Sequence, residues 1–360
     1  MNKVPKAIEL PEERNYKLAW KGVNLEESNE EEHRSYLQRF CKQFVSDMKS
    51  MINDHLVNKE SEQLDEDDMT LFHEIVHHAK FANDKLKLFC GREESLAKMK
   101  NLLTAPKEQN MPIIVHALSG HGKTSLLAKC ASLVPEWLGN NTSVALRFLG
   151  TSPQCSNIRD TMLSVIRQMA TLLNYALPSK DKLEKMGEVR RFFNVLVRKI
   201  GELHSDQKFV IILDSIDQLS ELYGAHRFSW LPRKLPSNVH IIISLLSDFG
   251  SVLDNCKSRV NATSQYIELE PLTTNTAKLI IETFMRIHKR TLTKDQENLI
   301  LKVFEKNAQP LFLKLVLDQA LQWNSYTPVA DIKIATNVRN AIQILFEEIE
   351  NKYGEVCLCY

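Results

Sequence analysis

What this chain of 360 residues lacks narrows the field first. Neither sign of charge dominates: 46 Lys and Arg stand against 45 Asp and Glu, a formal net charge of +1, which leaves no broad basic surface for nucleic acid. No apolar run reaches the length of a bilayer-spanning helix, and Met1-Asn2-Lys3-Val4-Pro5 is not followed by the hydrophobic stretch of a secretory leader. A cytoplasmic protein with no membrane partner is therefore expected. The seven cysteines, Cys41, Cys90, Cys130, Cys155, Cys256, Cys357 and Cys359, are odd in number and scattered, which argues for reduced thiols and against a disulfide framework. No internal repeat of propeller length is present.

What is there is 43% hydrophobic, enough to bury substantial cores in roughly two domains. The most informative stretch is Pro112-Ile113-Ile114-Val115 followed by Gly120-His121-Gly122-Lys123-Thr124-Ser125. It predicts a strand that ends in a phosphate-cradling loop, with an apolar helix after it. Backbone N–H groups of such a loop and of the next helix's first turn converge on anionic oxygens, Lys123 adds a mobile positive charge, and Thr124 offers a hydroxyl to Mg²⁺. The usual pattern, G-x-x-x-x-G-K-[ST], begins with glycine where this chain has Ala117.

A second run, Lys208-Phe209-Val210-Ile211-Ile212-Leu213-Asp214, reads as a central parallel strand ending in an acid at the ligand edge of the sheet. Asp214 is the candidate Mg²⁺ holder and Asp217 the candidate to orient an attacking water, with a plain helix cap as the alternative for each. Ser143–Leu149 and Val239–Leu245 predict further strands, the latter ending near Ser244, a candidate sensor of the terminal phosphate. Helical periodicity over 157–177 and 185–203 completes the alternation of an α/β P-loop fold with a parallel sheet between helices. Arg147, near a strand end, stays open between reaching phosphate, reaching a neighbouring subunit and making a structural ion pair.

His73-Glu74-Ile75-Val76-His77 matches H-E-x-x-H, in which two histidines one helical turn apart can hold zinc. No third ligand follows at helical spacing, so these residues are read as part of a packing helix.

The order of Phe89-Cys90-Gly91-Arg92-Glu93, the phosphate loop, Arg147–Ser152, Asp214-Ser215-Ile216-Asp217-Gln218-Leu219, Trp230-Leu231-Pro232 and Pro310–Leu315 resembles the NACHT type of signal-transducing ATPases with numerous domains (the STAND class), and most closely the proteins with NACHT and WD repeat domains. The resemblance implies ATP or ADP with Mg²⁺, held between a nucleotide-binding core and a following helical domain. It further implies slow hydrolysis, and a change of shape or assembly with the nucleotide held. By the same resemblance Gly91 and Arg92 lie near the base or ribose, and Pro310 belongs to the helical lid. Many relatives have Glu where this chain has Gln218, and an Arg follows the sensor strand in several where it has Leu245, so a non-hydrolysing interaction scaffold is the alternative function. A winged-helix region and WD repeats normally follow in that family; the sequence ends just past Gly354, so a fragment or a truncated product is expected.

The expected organisation is a helical N-terminal region over 1–84 with an acidic linker near 59–68, a nucleotide-binding domain over 85–270, a helical domain over 271–330 and a terminal helix within 331–360. Within the first, 31–57 is expected to be helical, and a second helix to begin near Met69 and run toward Gly91. Helices are expected near 274–289, 293–307 and 310–323, the second opened by a Thr293–Gln296 capping box with Leu292 as its staple. Partners are expected among proteins, or copies of the chain, through the helical regions.

Overall fold

The computed structural model describes residues 66–353 apart from 107 and 204–206, together with Lys42, and the fold is that of the compact unit Thr70–Tyr360. The helix expected over 31–57 lies outside the described residues, Lys42 excepted, which is helical.

Five strands form one parallel sheet: β1 (Ile113–Ala117), β2 (Thr142–Phe148), β3 (Lys208–Asp214), β4 (Val239–Leu246) and β5 (Tyr266–Glu268), in the spatial order β2-β3-β4-β1-β5. Parallel pairing sets all the strand ends on one edge, with Ala117 opposite Leu246 and Phe148 opposite Asp214. The period-2 alternation of β3 divides its side chains between two cores. Phe209, Ile211 and Leu213 pack with α4 (Ile158–Leu172) and α5 (Met186–Gly201). Val210 and Ile212 pack with α2 (Glu93–Thr104) and α3 (Lys123–Leu138) on the other face. A sheet buried on both sides reads as an unbroken apolar run, which is what β3 shows.

Beyond β5, a short helix α6 (Val252–Arg259) having preceded it, α7 (Thr274–Ile287), α8 (Lys294–Asn307) and α9 (Pro310–Ala320) share a third core centred on Phe284, Phe304 and Phe312. The capping box is present: Gln296 N donates to Thr293 Oγ1 and Thr293 N donates to Gln296 Oε1, while Leu292 packs on the same core. The last helix, α10 (Val338–Tyr353), starts later than the span 331–353 allowed, because Asn337 Oδ1 accepts from Asn340 N and sets the start there.

Three boundaries differ from the sequence expectation. α1 (Glu66–Leu86) is described from within the acidic stretch, earlier than Met69. It stops short of Gly91 and Arg92, whose φ values of 73° and 69° no helix accommodates. α4 ends at Leu172 because Asn174 turns left-handed at φ 47° and the Tyr175 amide returns to the Ala170 carbonyl.

Candidate functional site

The loop between β1 and α3 takes its shape from two glycines: Gly120 at φ 76° and Gly122 at φ 87° sit in the left-handed region that a side chain disfavours. No described residue accepts a hydrogen bond from the amides of His121 or Gly122. The first amides of α3, at Lys123 and Thr124, are the orphan donors of a helix start. Lys123 is buried, and its ammonium donates to the carbonyls of Ala117 and Leu118 at 3.0 and 3.1 Å. Burial lowers its pKa, opposed by the charges of Asp217, Asp214 and Asp248.

Across the sheet edge, Asp214 is 2% exposed and accepts from Thr124 Oγ1 at 2.7 Å, from Ser244 Oγ at 2.6 Å and from Ser215 Oγ at 3.3 Å. Burial raises its pKa, against the pull of those hydroxyls and of Lys123. Ser244 Oγ also accepts from the Ser215 amide at 2.7 Å, which pins the left-handed turn after β3. Asp217 accepts from the Leu246 amide at 3.1 Å and from Gln218 Nε2 at 3.0 Å, tying the ends of β3 and β4 together.

A cavity of about 550 Å³ opens on this edge. Gly120, Gly122, Lys123, Thr124, Ser125 and Asp217 line it on the sheet side. Ile280, Phe284, Pro310, Leu311 and Leu317 line it from the helices, and Asp84, Lys85 and Leu88 from the end of α1 and beyond. α9 sits on the loop itself: the Leu311 amide donates to the Gly120 carbonyl at 3.2 Å, and a Cβ on Gly120 would stand 3.1 Å from Leu311 Cβ.

The expected site residues therefore separate into groups. Gly120, Gly122, Lys123, Thr124, Ser125, Asp217 and Pro310 share the cavity, with Asp214 directly behind Thr124. Ser244 is fully buried behind Asp214. The His121 ring is buried against the Ser119 carbonyl and leaves only its backbone to the loop. Gly91 packs on Thr276, and Arg92 donates to the carbonyls of His121 and Glu270; neither lines the cavity. The signal that sequence reasoning missed is the wall from α7, whose Ile280 and Phe284 fall at helical spacing on the apolar face.

The same geometry tests whether a Mg-nucleotide fits. Free loop amides at left-handed glycines suit phosphate oxygens, the Thr124 and Asp214 oxygens form the hard donor set Mg²⁺ prefers, and an apolar wall suits a base. The residues fit the group.

Two side chains decide between readings the sequence left open. Arg147 reaches neither phosphate nor a subunit surface: it is 1% exposed and donates to Ser164 Oγ, the Ser164 and Leu146 carbonyls and Gln168 Oε1, because its place on β2 turns it toward α4. In the H-E-x-x-H stretch, His73 and His77 face outward while Glu74 points in and meets His78, one turn on, and Cys155. Glu74 Oε1 accepts from His78 Nε2 at 2.9 Å, Cys155 Sγ at 3.0 Å and Ser152 Oγ at 2.7 Å. Burial raises the Glu74 pKa, but these donors outweigh it and hold the carboxyl at about 2. Burial lowers the pKa of His78 and pushes the Cys155 thiol up to about 12. The trio is close enough to suggest a metal, yet His78 Nδ1 accepts the Phe148 amide at 3.1 Å. That leaves the ring proton on Nε2, the nitrogen that would have to ligate. The cluster is a hydrogen-bonded anchor for α1.

Comparison with known proteins agrees with this geometry. The family model for the AAA ATPase domain matches residues 88–244. NACHT domain- and WD repeat-containing protein 1 of Mus musculus is 29% identical over 96% of this chain, and NACHT and WD repeat domain-containing protein 2 of the same organism is 28% identical over 91%. The chain spans about a fifth of the length of these curated relatives, 22% and 19%. A Walker-type ATPase of Pyrococcus abyssi overlaps at 15% identity and a TM-score of 0.45, with 73% of each chain covered, which carries neither activity nor ligand across. With a glycine-bent loop after β1, an acid at the end of β3 and this kinship, the chain carries an AAA+-type P-loop NTPase fold related to the NACHT and AAA ATPase families.

Proposed function

We propose that this chain is the nucleotide-operated switch of a NACHT-type signalling protein. It binds ATP or ADP with Mg²⁺, hydrolyses slowly, and couples the nucleotide held to the position of its helical domain or to self-association. The observation that carries this reading is that one cavity is walled both by the phosphate loop and by α9, joined through the Leu311 amide and the Gly120 carbonyl. A ligand that binds the closed arrangement better than the open one shifts the population toward it by that difference in affinity.

In this reading the amides of residues 120–125 and Lys123 bind the phosphates, and Thr124 with Asp214 would hold Mg²⁺, which neutralises phosphate charge. Asp217 orients water, and the apolar side chains of α7 and α9 exclude solvent from the base. Residues 85–270 form the nucleotide domain and 271–330 the lid, and partners act through the helical regions. Calorimetric titration of Mg-ADP and Mg-ATP into the purified chain, beside Lys123→Ala, tests it. Micromolar or tighter binding, lost about a hundredfold or more in the variant, is expected from removing a charge-assisted phosphate contact. Equal affinities in the two proteins remove Lys123 from the site.

A second reading, a nucleotide-holding scaffold without turnover, is favoured by one feature: the side chain that donates to Asp217 is the amide of Gln218, which cannot act as a base. Single-turnover phosphate release decides between them, since a scaffold retains ATP unhydrolysed.

A further inference from the structure

Resting on the nucleotide reading above, we propose that Arg92 is a positioning residue that holds the phosphate loop from outside and does not touch the nucleotide. Its fork joins two backbone carbonyls: Nη2 donates to His121 O at 2.9 Å, within the loop, and Nη1 to Glu270 O at 2.5 Å, in the connection from β5 to α7. Peptide bonds here are trans, so a carbonyl and the amide across its peptide bond point in opposite directions. By fixing the His121 carbonyl, Arg92 turns the Gly122 amide to the far side of the loop. The Leu311 amide does the same one peptide earlier, since it holds the Gly120 carbonyl and so directs the His121 amide away from α9. Neither of these amides has an acceptor among the described residues. The anion nest is thus prearranged by two exterior donors, one on each neighbouring element.

The turn that carries Arg92 is built for this task. Gly91 at φ 73° leaves no space for a side chain, since a Cβ there would meet Thr276 Cγ2 of α7 at 2.5 Å. Arg92 itself stands at φ 69°, a conformation that costs any residue but glycine. Because Glu270 lies where the chain leaves the sheet for the helical block, the same guanidinium ties the loop to that connection. A lysine, with one compact charge, cannot span two carbonyls as a planar fork does.

The left-handed φ supplies an unusually clean test. Arg92→Gly removes the fork while relieving the backbone, so the melting temperature is expected to hold or rise, whereas the Kd for Mg-ADP weakens about tenfold or more, as loss of charge-assisted hydrogen bonds implies. Millimolar methylguanidinium is expected to restore part of that affinity, and Arg92→Lys to recover less than the wild type shows. Equal Mg-ADP affinity in wild type and Arg92→Gly overturns the proposal, as does a loss of affinity that only tracks a fall in melting temperature. Amide hydrogen exchange across residues 118–124, without nucleotide, is expected to quicken in Arg92→Gly. That arm stands even if the wild type binds no nucleotide, the outcome that removes the nucleotide reading instead, and unchanged exchange there overturns the strut.

Discussion

Two buried polar clusters lie near the same edge of the sheet, after β3 and after β2, and they use similar residues to opposite ends. At the first, Asp214, Thr124 and Lys123 stand beside a cavity, with loop amides free and a carboxyl pushed upward by burial. At the second, Glu74 is met by three neutral donors, which hold its carboxyl at about 2. An acid in a protein interior is held as an anion where donors converge on it, and is left ready for an incoming cation where burial outruns its donors. Each acid has three donors, so what separates the candidate binding site from the anchor is whether burial outweighs them and whether a cavity opens beside the acid, not the type of residue.

The sharpest way to break this contrast is to neutralise both acids. Asp214→Asn is expected to weaken Mg-nucleotide binding about a hundredfold, ~2.7 kcal/mol, with affinity for nucleotide in EDTA nearly unchanged; calorimetry with and without Mg²⁺ reads it. Glu74→Gln is expected to lower stability by ~2 kcal/mol, because three donors lose their charged acceptor, and to leave nucleotide affinity alone. Urea denaturation measures that loss, and a matched fall in affinity would merge the two clusters into one system. Gly120→Ala comes next, at about 1–2 kcal/mol for forcing a side chain into the left-handed region. Its added Cβ also presses on Leu311, so faster amide exchange at the start of α9 should accompany the drop.

The mildest effect is that of pH on the α1 anchor. His78 is lowered from 6.5, so its neutral form supports docking, and that support is full above 6.5 and lost as pH falls from there toward its folded value. Glu74 runs the same way, full above 4.5 and lost as pH falls toward about 2. The nearby charges of Arg147 and His77 add to the lowering of His78. The protection of the Phe148 amide, which His78 Nδ1 accepts, measured relative to its intrinsic exchange rate at each pH, should fall on acidification while that of β3 holds. A flat profile at Phe148 would remove the histidine from the anchor.

Much of this was legible along the chain wherever a local pattern sufficed. The run Lys208–Asp214 matches β3 residue for residue, and the Thr293–Gln296 box opens α8, because pleat alternation and capping involve neighbours in sequence. The three residues of β5 carry too short an alternation to be seen, and its pairing with β1 spans more than a hundred residues of chain. Arg92 was legible as part of a motif, but its partners lie at positions 121 and 270, beyond the reach of any pattern.

By itself the sequence determined the kinds of element and the loop, since glycine spacing, apolar period and a terminal acid act through covalent geometry and local burial. Tertiary structure alone decided which polar groups became paired. It turned Glu74 rather than His73 inward, gave Arg147 to α4 and set α9 on the phosphate loop. The reason is that hydrogen-bond satisfaction depends on atoms from distant segments meeting within about 3 Å, a condition fixed only when the layers pack.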